Sequence, residues 1–233
     1  MASSPPVPHG GHDVHRTAVE RLARGITDGT YDVGSHLQPP LLAAELGMAA
    51  SVLAEAVRVL VAKGVVGPAH RVRPQDEWNV LDTDVLRWTL AATVPGPVGF
   101  FPDLHELRRA VEPSAAALAA QFRTSSDLAA LDEALAAMAA AERHPRTDPA
   151  LAARADIAFH STLLMASGNR FYAQLPRVLV PTLAARDERV HAGPHHHPLP
   201  SHAEVAARVR EMDADGAYTA MLELLDLSLR DDP

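Results

Sequence analysis

Glycine and proline punctuation constrains the first third of the chain more than any other feature. Pro39-Pro40 precedes a short apolar run, Leu41 to Leu46, that Gly47 breaks; Ala50 to Lys63 then carries Leu53, Val57 and Leu60 on one face before Gly64. Proline suits the first helical position, where its missing N–H costs little. Glycine closes a helix in left-handed backbone. The pattern predicts two short helices joined by a tight turn. Upstream, His15 to Asp28 places Val19, Leu22, Ala23 and Ile26 at helical spacing and stops at Gly29. Tyr31 to Leu37 predicts a turn and a short extended piece. Val65-Val66, a turn at Gly67-Pro68 and Val72 predict a small hairpin. Such helices followed by two short strands make a winged helix-turn-helix layout. A small helical domain without a nucleic-acid partner fits the same pattern.

The rest of the chain predicts helix after helix, and the fold class is mostly α. Only 4% of residues are aromatic, and Ala/Leu stretches dominate. Expected helices cover Asp82 to Ala92, Pro102 to Arg123 (with a kink or restart at Pro113), Leu128 to Glu142 behind a Ser125-Ser126-Asp127 cap, and Ala150 to Ser167. Others cover Phe171 to His191, Ser201 to Met212 and Gly216 to Leu229. They predict an antiparallel all-helical bundle with a ligand cavity. The polar, aperiodic segment Arg73-Pro-Gln-Asp-Glu-Trp-Asn-Val-Leu-Asp82 marks a linker. The expected organisation is a disordered lead-in at 1–12, the winged helix-turn-helix at 13–74, a linker at 75–82 and the bundle at 83–230.

Composition excludes several classes. The chain has 233 residues and no cysteine, so thiolate metal sites, disulfides and thiol chemistry are absent. A net charge of −8 does not describe a polycation. No apolar run approaches the about 20 residues of a membrane span, and the start lacks a signal-peptide core, so a cytoplasmic location is expected. No nucleophile elbow, phosphate loop or His-Glu-x-x-His helix is present, and no enzyme is predicted.

Asp156 and His160 stand four apart on an expected helix, which puts both on one face. With His202 from a later helix they would offer hard oxygen and borderline nitrogen donors to Zn, Ni or Mn. An ordinary helix-face ion pair plus a surface histidine is the alternative. The loop His191-Ala-Gly-Pro-His-His-His-Pro198 reads as an adventitious metal binder rather than a built site.

Ordered segments give the chain a family resemblance. They are Gly25-Ile-Thr-Asp-Gly-Thr-Tyr-Asp-Val-Gly-Ser-His-Leu37, Leu42-Ala-Ala-Glu-Leu-Gly47, Glu55-Ala-Val-Arg-Val-Leu-Val-Ala-Lys-Gly64, Asp103-Leu-His-Glu-Leu-Arg108, Val111-Glu-Pro113, Asp156-Ile-Ala-Phe-His160 and Ala166-Ser-Gly-Asn169, followed by His202, Ala217 and Met221. The chain resembles GntR-type transcriptional regulators of the FadR subfamily, whose C-terminal half is the helical FCD ligand-binding domain. The stretch from Trp78 to Trp88 is similar to the sugar-acid-responsive branch.

The resemblance implies a homodimeric repressor on near-palindromic operator DNA, modulated by a small carboxylate effector. It implies an Asp and three His around a divalent metal. Asp156, His160 and His202 match three of these, and the fourth position, 22 residues after His202, is Leu224. It also implies that Arg108 holds the effector carboxylate; a bundle salt bridge with Glu112 is the other reading. Asn169 donates to the effector or caps a helix. Arginines usual at and before the recognition helix are replaced by Ala50, Ala54 and Leu41, leaving Ser51, Arg58, His70, Arg71 and Arg73 for DNA. Residues 1–77 hold seven basic and eight acidic side chains, an electrostatic footprint that weakens phosphate binding. A small-molecule-binding dimer of the same fold, with DNA binding weakened or lost, is the alternative function.

Overall fold

Gly47 closes one helix in left-handed backbone (φ 64°), its N–H donating to Ala43 O, and the chain restarts at Ala50. The computed structural model describes residues 10–92, 99–143, 150–190 and 199–228. It divides into two units, Met1–Val98 and Gly99–Pro233. In the first, α1 is Gly10–Thr27, α2 Pro39–Leu46, α3 Ala50–Ala62 and α4 Thr83–Leu90. The axes of α2 and α3 meet at 116°, within the helix-turn-helix range. A Schellman motif ends α3: Val65 N–H donates to Leu60 O, Gly64 N–H donates to Val61 O, and Gly64 takes φ 78°.

The apolar faces read from the sequence meet in one core. Val19, Leu22, Ala23 and Ile26 of α1 pack with Leu42, with Leu53, Val57 and Leu60 of α3, and with Val65, Val66 and Val72. Each large side chain buried there contributes about 1.5–3 kcal/mol relative to exposure. The expected hairpin is shorter than predicted. Among the described residues there is no strand, only isolated antiparallel bridges Val66–Val72 and His36–Arg71. The turn closed by His70 N–H to Gly67 O (2.9 Å) leaves room for little more than Arg73 N–H to Val65 O (3.0 Å) before Pro74, which has no N–H to continue a ladder. Gly34 to Leu37 adds a third extended piece through Leu37 N–H to His70 O (2.8 Å).

Two boundaries differ from the sequence expectation. The helix α1 already includes Gly10 to His12, while residues 1–9 lie outside the described part. Residues 75–92 belong with the first unit, so 75–82 is not the division between the two. Trp78, Val85 and Trp88 are buried in the first core, and Trp88 Nε1 donates to Glu20 at 2.9 Å. Lys63 also ties to Asp82 and Asp84. Polarity of the segment concealed Trp78 as an anchor.

The second unit is helical throughout its described residues: α5 Phe100–Phe122, α6 Ser125–Arg143, α7 Leu151–Ala166, α8 Pro176–Val190, α9 Leu199–Arg210 and α10 Ala214–Ser228. The helix α5 continues through Pro113 without a restart. Alanines 116, 119 and 120 beyond it pack with Phe159 of α7, Val205 of α9 and Met221 of α10. The cap of α6 is Thr124 rather than Ser125: Asp127 N–H donates to Thr124 Oγ1 (3.2 Å), and Thr124 N–H donates back to Asp127 Oδ2 (2.7 Å), a reciprocal capping box. The expected single helix from Phe171 is a short 3₁₀ turn, Tyr172–Gln174, followed by α8, which Pro176 opens. The His191–Pro198 loop lies outside the described residues. Among those described, no single helix is long and apolar enough to cross a membrane.

Candidate metal and effector site

The helix α7 places Asp156 and His160 one turn apart, and α9 brings His202 to them. One ligand atom from each of the three lies within 4.8 Å of the others. Asp156 Oδ1 stands 3.0 Å from His202 Nε2 and 3.5 Å from His160 Nε2. Metal–ligand bonds of about 2.1 Å put neighbouring donors about 3.0–3.4 Å apart, so these separations fit the edges of a coordination polyhedron. The two imidazoles are buried; the Asp156 side chain keeps 34% of its surface exposed, which leaves an approach from solvent. Phe159 packs edge-on against both rings, at centroid distances of 5.7 Å to His160 and 4.9 Å to His202.

Behind His160 lies a residue that the sequence pattern marks only as a salt-bridge partner. Glu112 Oε2 accepts from His160 Nδ1 at 2.5 Å, and Glu112 Oε1 accepts from Arg108 Nε at 2.7 Å. The sole hint in the sequence is the four-residue step from Arg108 to Glu112 on the face that turns inward. Burial works against the Glu112 carboxylate, but the charges of Arg108 and His160 outweigh it and hold its pKa at about 2. Burial likewise disfavours the His160 cation, but Glu112 and Asp156 raise it to about 9 against the opposing Arg108 charge. Asp156 is held well below the usual carboxylate range: burial opposes this, and the two histidines overcome it.

The other expected site residues divide. Arg108 is buried with 4% exposure and forms the Glu112 bridge, so the salt-bridge reading is realised. Asn169, beyond the end of α7, works as a turn cap: its Oδ1 accepts from Phe171 N–H at 2.9 Å. Leu224 is buried in the apolar core with Phe159 and Met221.

On the first unit, Ser51 is exposed on the first turn of α3. Arg58 pairs with Glu55 of the same helix. Arg71 Nη1 donates to Gly34 O at 2.8 Å, and Arg73 lies 3.8 Å from Glu77. His70 occupies left-handed backbone at φ 55° in the wing turn, its ring 6.4 Å from that of His36.

The FCD domain model matches residues 103–227, the span that contains Arg108, Glu112, Asp156, His160 and His202. The chain belongs to the FCD family of GntR-type transcriptional regulators. Its similarity extends beyond that domain. It is 31% identical over 217 residues to the galactonate operon transcriptional repressor of Escherichia coli strain K12, covering 90% of this chain and 92% of that protein. Among solved structures, a GntR protein of Streptococcus agalactiae is 25% identical, with a TM-score of 0.51, and covers 94% of this chain and all of that one. Lar of Listeria monocytogenes shares the fold at 17% identity and a TM-score of 0.59, covering 97% of this chain and 98% of that one. The relatives are transcriptional regulators, and this FCD protein is a regulator rather than an enzyme.

Proposed function

We propose that this FCD regulator is a homodimeric repressor whose grip on a near-palindromic operator responds to a small carboxylate of the sugar-acid type, bound beside a divalent metal. The observation that carries the sensing half is the meeting of Asp156, His160 and His202 from two helices. A metal bound there supplies Lewis-acidic positions for an anion, since three protein ligands leave coordination sites open. Zn, Ni and Mn suit the oxygen and nitrogen donors. Arg108 contributes the positive charge that a buried carboxylate requires. The likeness to a galactonate operon repressor over most of both chains supports the sugar-acid class and the repressing output.

On the DNA side, α3 is the recognition helix, with Ser51 and Arg58 facing the groove and His70, Arg71 and Arg73 of the wing facing the backbone. The effector acts by binding one dimer geometry more tightly than the other, the only way a ligand shifts such an equilibrium. A second reading keeps the sensor and loses the DNA grip. It draws on the engagement of Arg58 by Glu55, Arg71 by Gly34 and Arg73 by Glu77.

Fluorescence anisotropy with a duplex from the protein's own promoter region, at low salt, separates the two readings. Binding that weakens with galactonate and zinc supports the first. No binding up to high micromolar protein, with carboxylate binding retained by calorimetry, supports the second. A monomer by light scattering, or neither kind of binding, overturns both.

A further inference from the structure

Glu112 is a buried carboxylate that the donor set does not need. Its side chain is 1% exposed, and Arg108 beside it is 4% exposed. Stability alone is a poor reason to keep such a pair, because well-packed apolar residues of similar volume commonly do as well or better. Position is the better reason. Phe159 packs against the edge of the His160 ring, and His202 stands 5.4 Å away. Packing of this kind fixes the plane of an imidazole without choosing between its two faces. A half turn about Cβ–Cγ would put Cδ2 against Glu112 and Cε1 toward Asp156. The contact between His160 Nδ1 and Glu112 Oε2 selects the other orientation, with Nε2 toward Asp156. A hydrogen bond at one ring nitrogen sets which nitrogen is offered to a metal.

We propose that Glu112 is the positioning residue of the metal site, holding the His160 ring so that Nε2 faces Asp156 and His202, with Arg108 as its own anchor. This rests on the metal reading above and adds a residue outside the donor set. Arg108 then acts through a chain of contacts, Arg108 to Glu112 to His160, as well as through its charge.

Zinc titration of the full chain against a chromophoric chelator tests it, using wild type, Glu112→Leu, which has no acceptor for His160 Nδ1–H, and the double variant Glu112→Leu/Arg108→Met. The double variant leaves no uncompensated buried guanidinium, so it stands in if the single variant fails to fold. Circular dichroism and melting serve as folding controls. The expected result is a loss of zinc affinity of about 10–100-fold in either folded variant, the range for outer-shell partners of metal-bound histidine. Nitrogen-15 spectra of zinc-loaded wild type should show a hydrogen-bonded Nδ1–H on His160 that the variants lose. Zinc affinity within twofold of wild type in a folded variant, or a wild-type His160 bound to zinc through Nδ1, overturns this inference alone. A wild type that binds no zinc overturns the metal reading and this inference with it.

Discussion

His202 Nε2 and Asp156 Oδ1 stand 3.0 Å apart although 46 residues separate them in the chain. That contact joins α9 to α7 at the level of His160 and turns a helix-face pair into a three-donor cluster. Removing the remote donor dismantles the set without disturbing α7. His202→Ala is expected to abolish stoichiometric metal in protein purified without a nickel column. Elemental analysis reads it directly, and retention of one metal per chain counts against the site.

Leu224 stands where the family resemblance implies a fourth metal ligand. The side chain is buried with Phe159 and Met221. Leu224→His puts a polar ring into apolar packing, which costs roughly 1–3 kcal/mol without a partner. Added zinc is expected to recover that loss and to raise the melting temperature more in the variant than in wild type. Equal zinc-induced shifts in the two proteins would place residue 224 out of reach of the metal.

The sequence carried the helices and much of the cluster, for a physical reason. Helical periodicity is local, so Val19, Leu22, Ala23 and Ile26 declare a buried face by themselves, and Asp156 and His160 share a face by spacing alone. Glu112 was legible only as a partner of Arg108, because its second contact, to His160, crosses between helices. Trp78 and Trp88 were hidden differently. Trp78 sits in a polar stretch without periodicity and Trp88 on the short expected helix after it, yet each indole finds a hydrogen-bond acceptor: Arg73 O for Trp78 and Glu20 for Trp88. Each aromatic anchor outweighs the polar residues around it. The wing shrank to bridges because Pro74 ends the pairing, a proline whose effect depends on register that a single sequence does not fix.

The charges around His160 give the metal-free chain a defined pH dependence. The folded imidazole titrates near 9 rather than near its ordinary value of about 6.5. A raised folded pKa stabilises fully below the unfolded value, and that stabilisation disappears as pH climbs through 9. Glu112, held at about 2, contributes in the opposite sense: its stabilisation is present above about 4 and is lost as pH falls toward 2. Melting temperature measured with a chelator present should therefore be highest between about pH 4.5 and 6.5 and decline from pH 7 to 10. Glu112→Gln is expected to flatten the alkaline decline. A wild-type melting temperature that rises from pH 7 to 10 contradicts the charge arrangement.

Ala50 begins α3, where the family resemblance implies an arginine, and it is exposed. A guanidinium there would neutralise a phosphate or meet a guanine edge. Ala50→Arg is expected to tighten operator binding at low salt and to steepen the dependence of log affinity on log salt by about 0.9 if the new contact is to one phosphate. Anisotropy titrations across a salt series measure both. An unchanged affinity and slope would mean that the first turn of α3 does not face the duplex.

Met212 follows α9 in left-handed backbone, at φ 64°. The geometry is a Schellman motif, with Met212 N–H donating to Val209 O (3.3 Å) and Asp213 N–H donating to Arg208 O (3.0 Å). Glycine ordinarily fills that position because a Cβ there crowds the following carbonyl, at a cost of about 1–2 kcal/mol. Met212 is 60% exposed, so replacing its side chain forfeits little packing. Met212→Gly gives back part of its gain through the greater freedom of glycine in the unfolded chain. A net stabilisation of about 1 kcal/mol is expected, read as a higher denaturation midpoint with an unchanged denaturant slope. A lower midpoint would show that Met212 makes contacts worth more than the backbone strain it imposes.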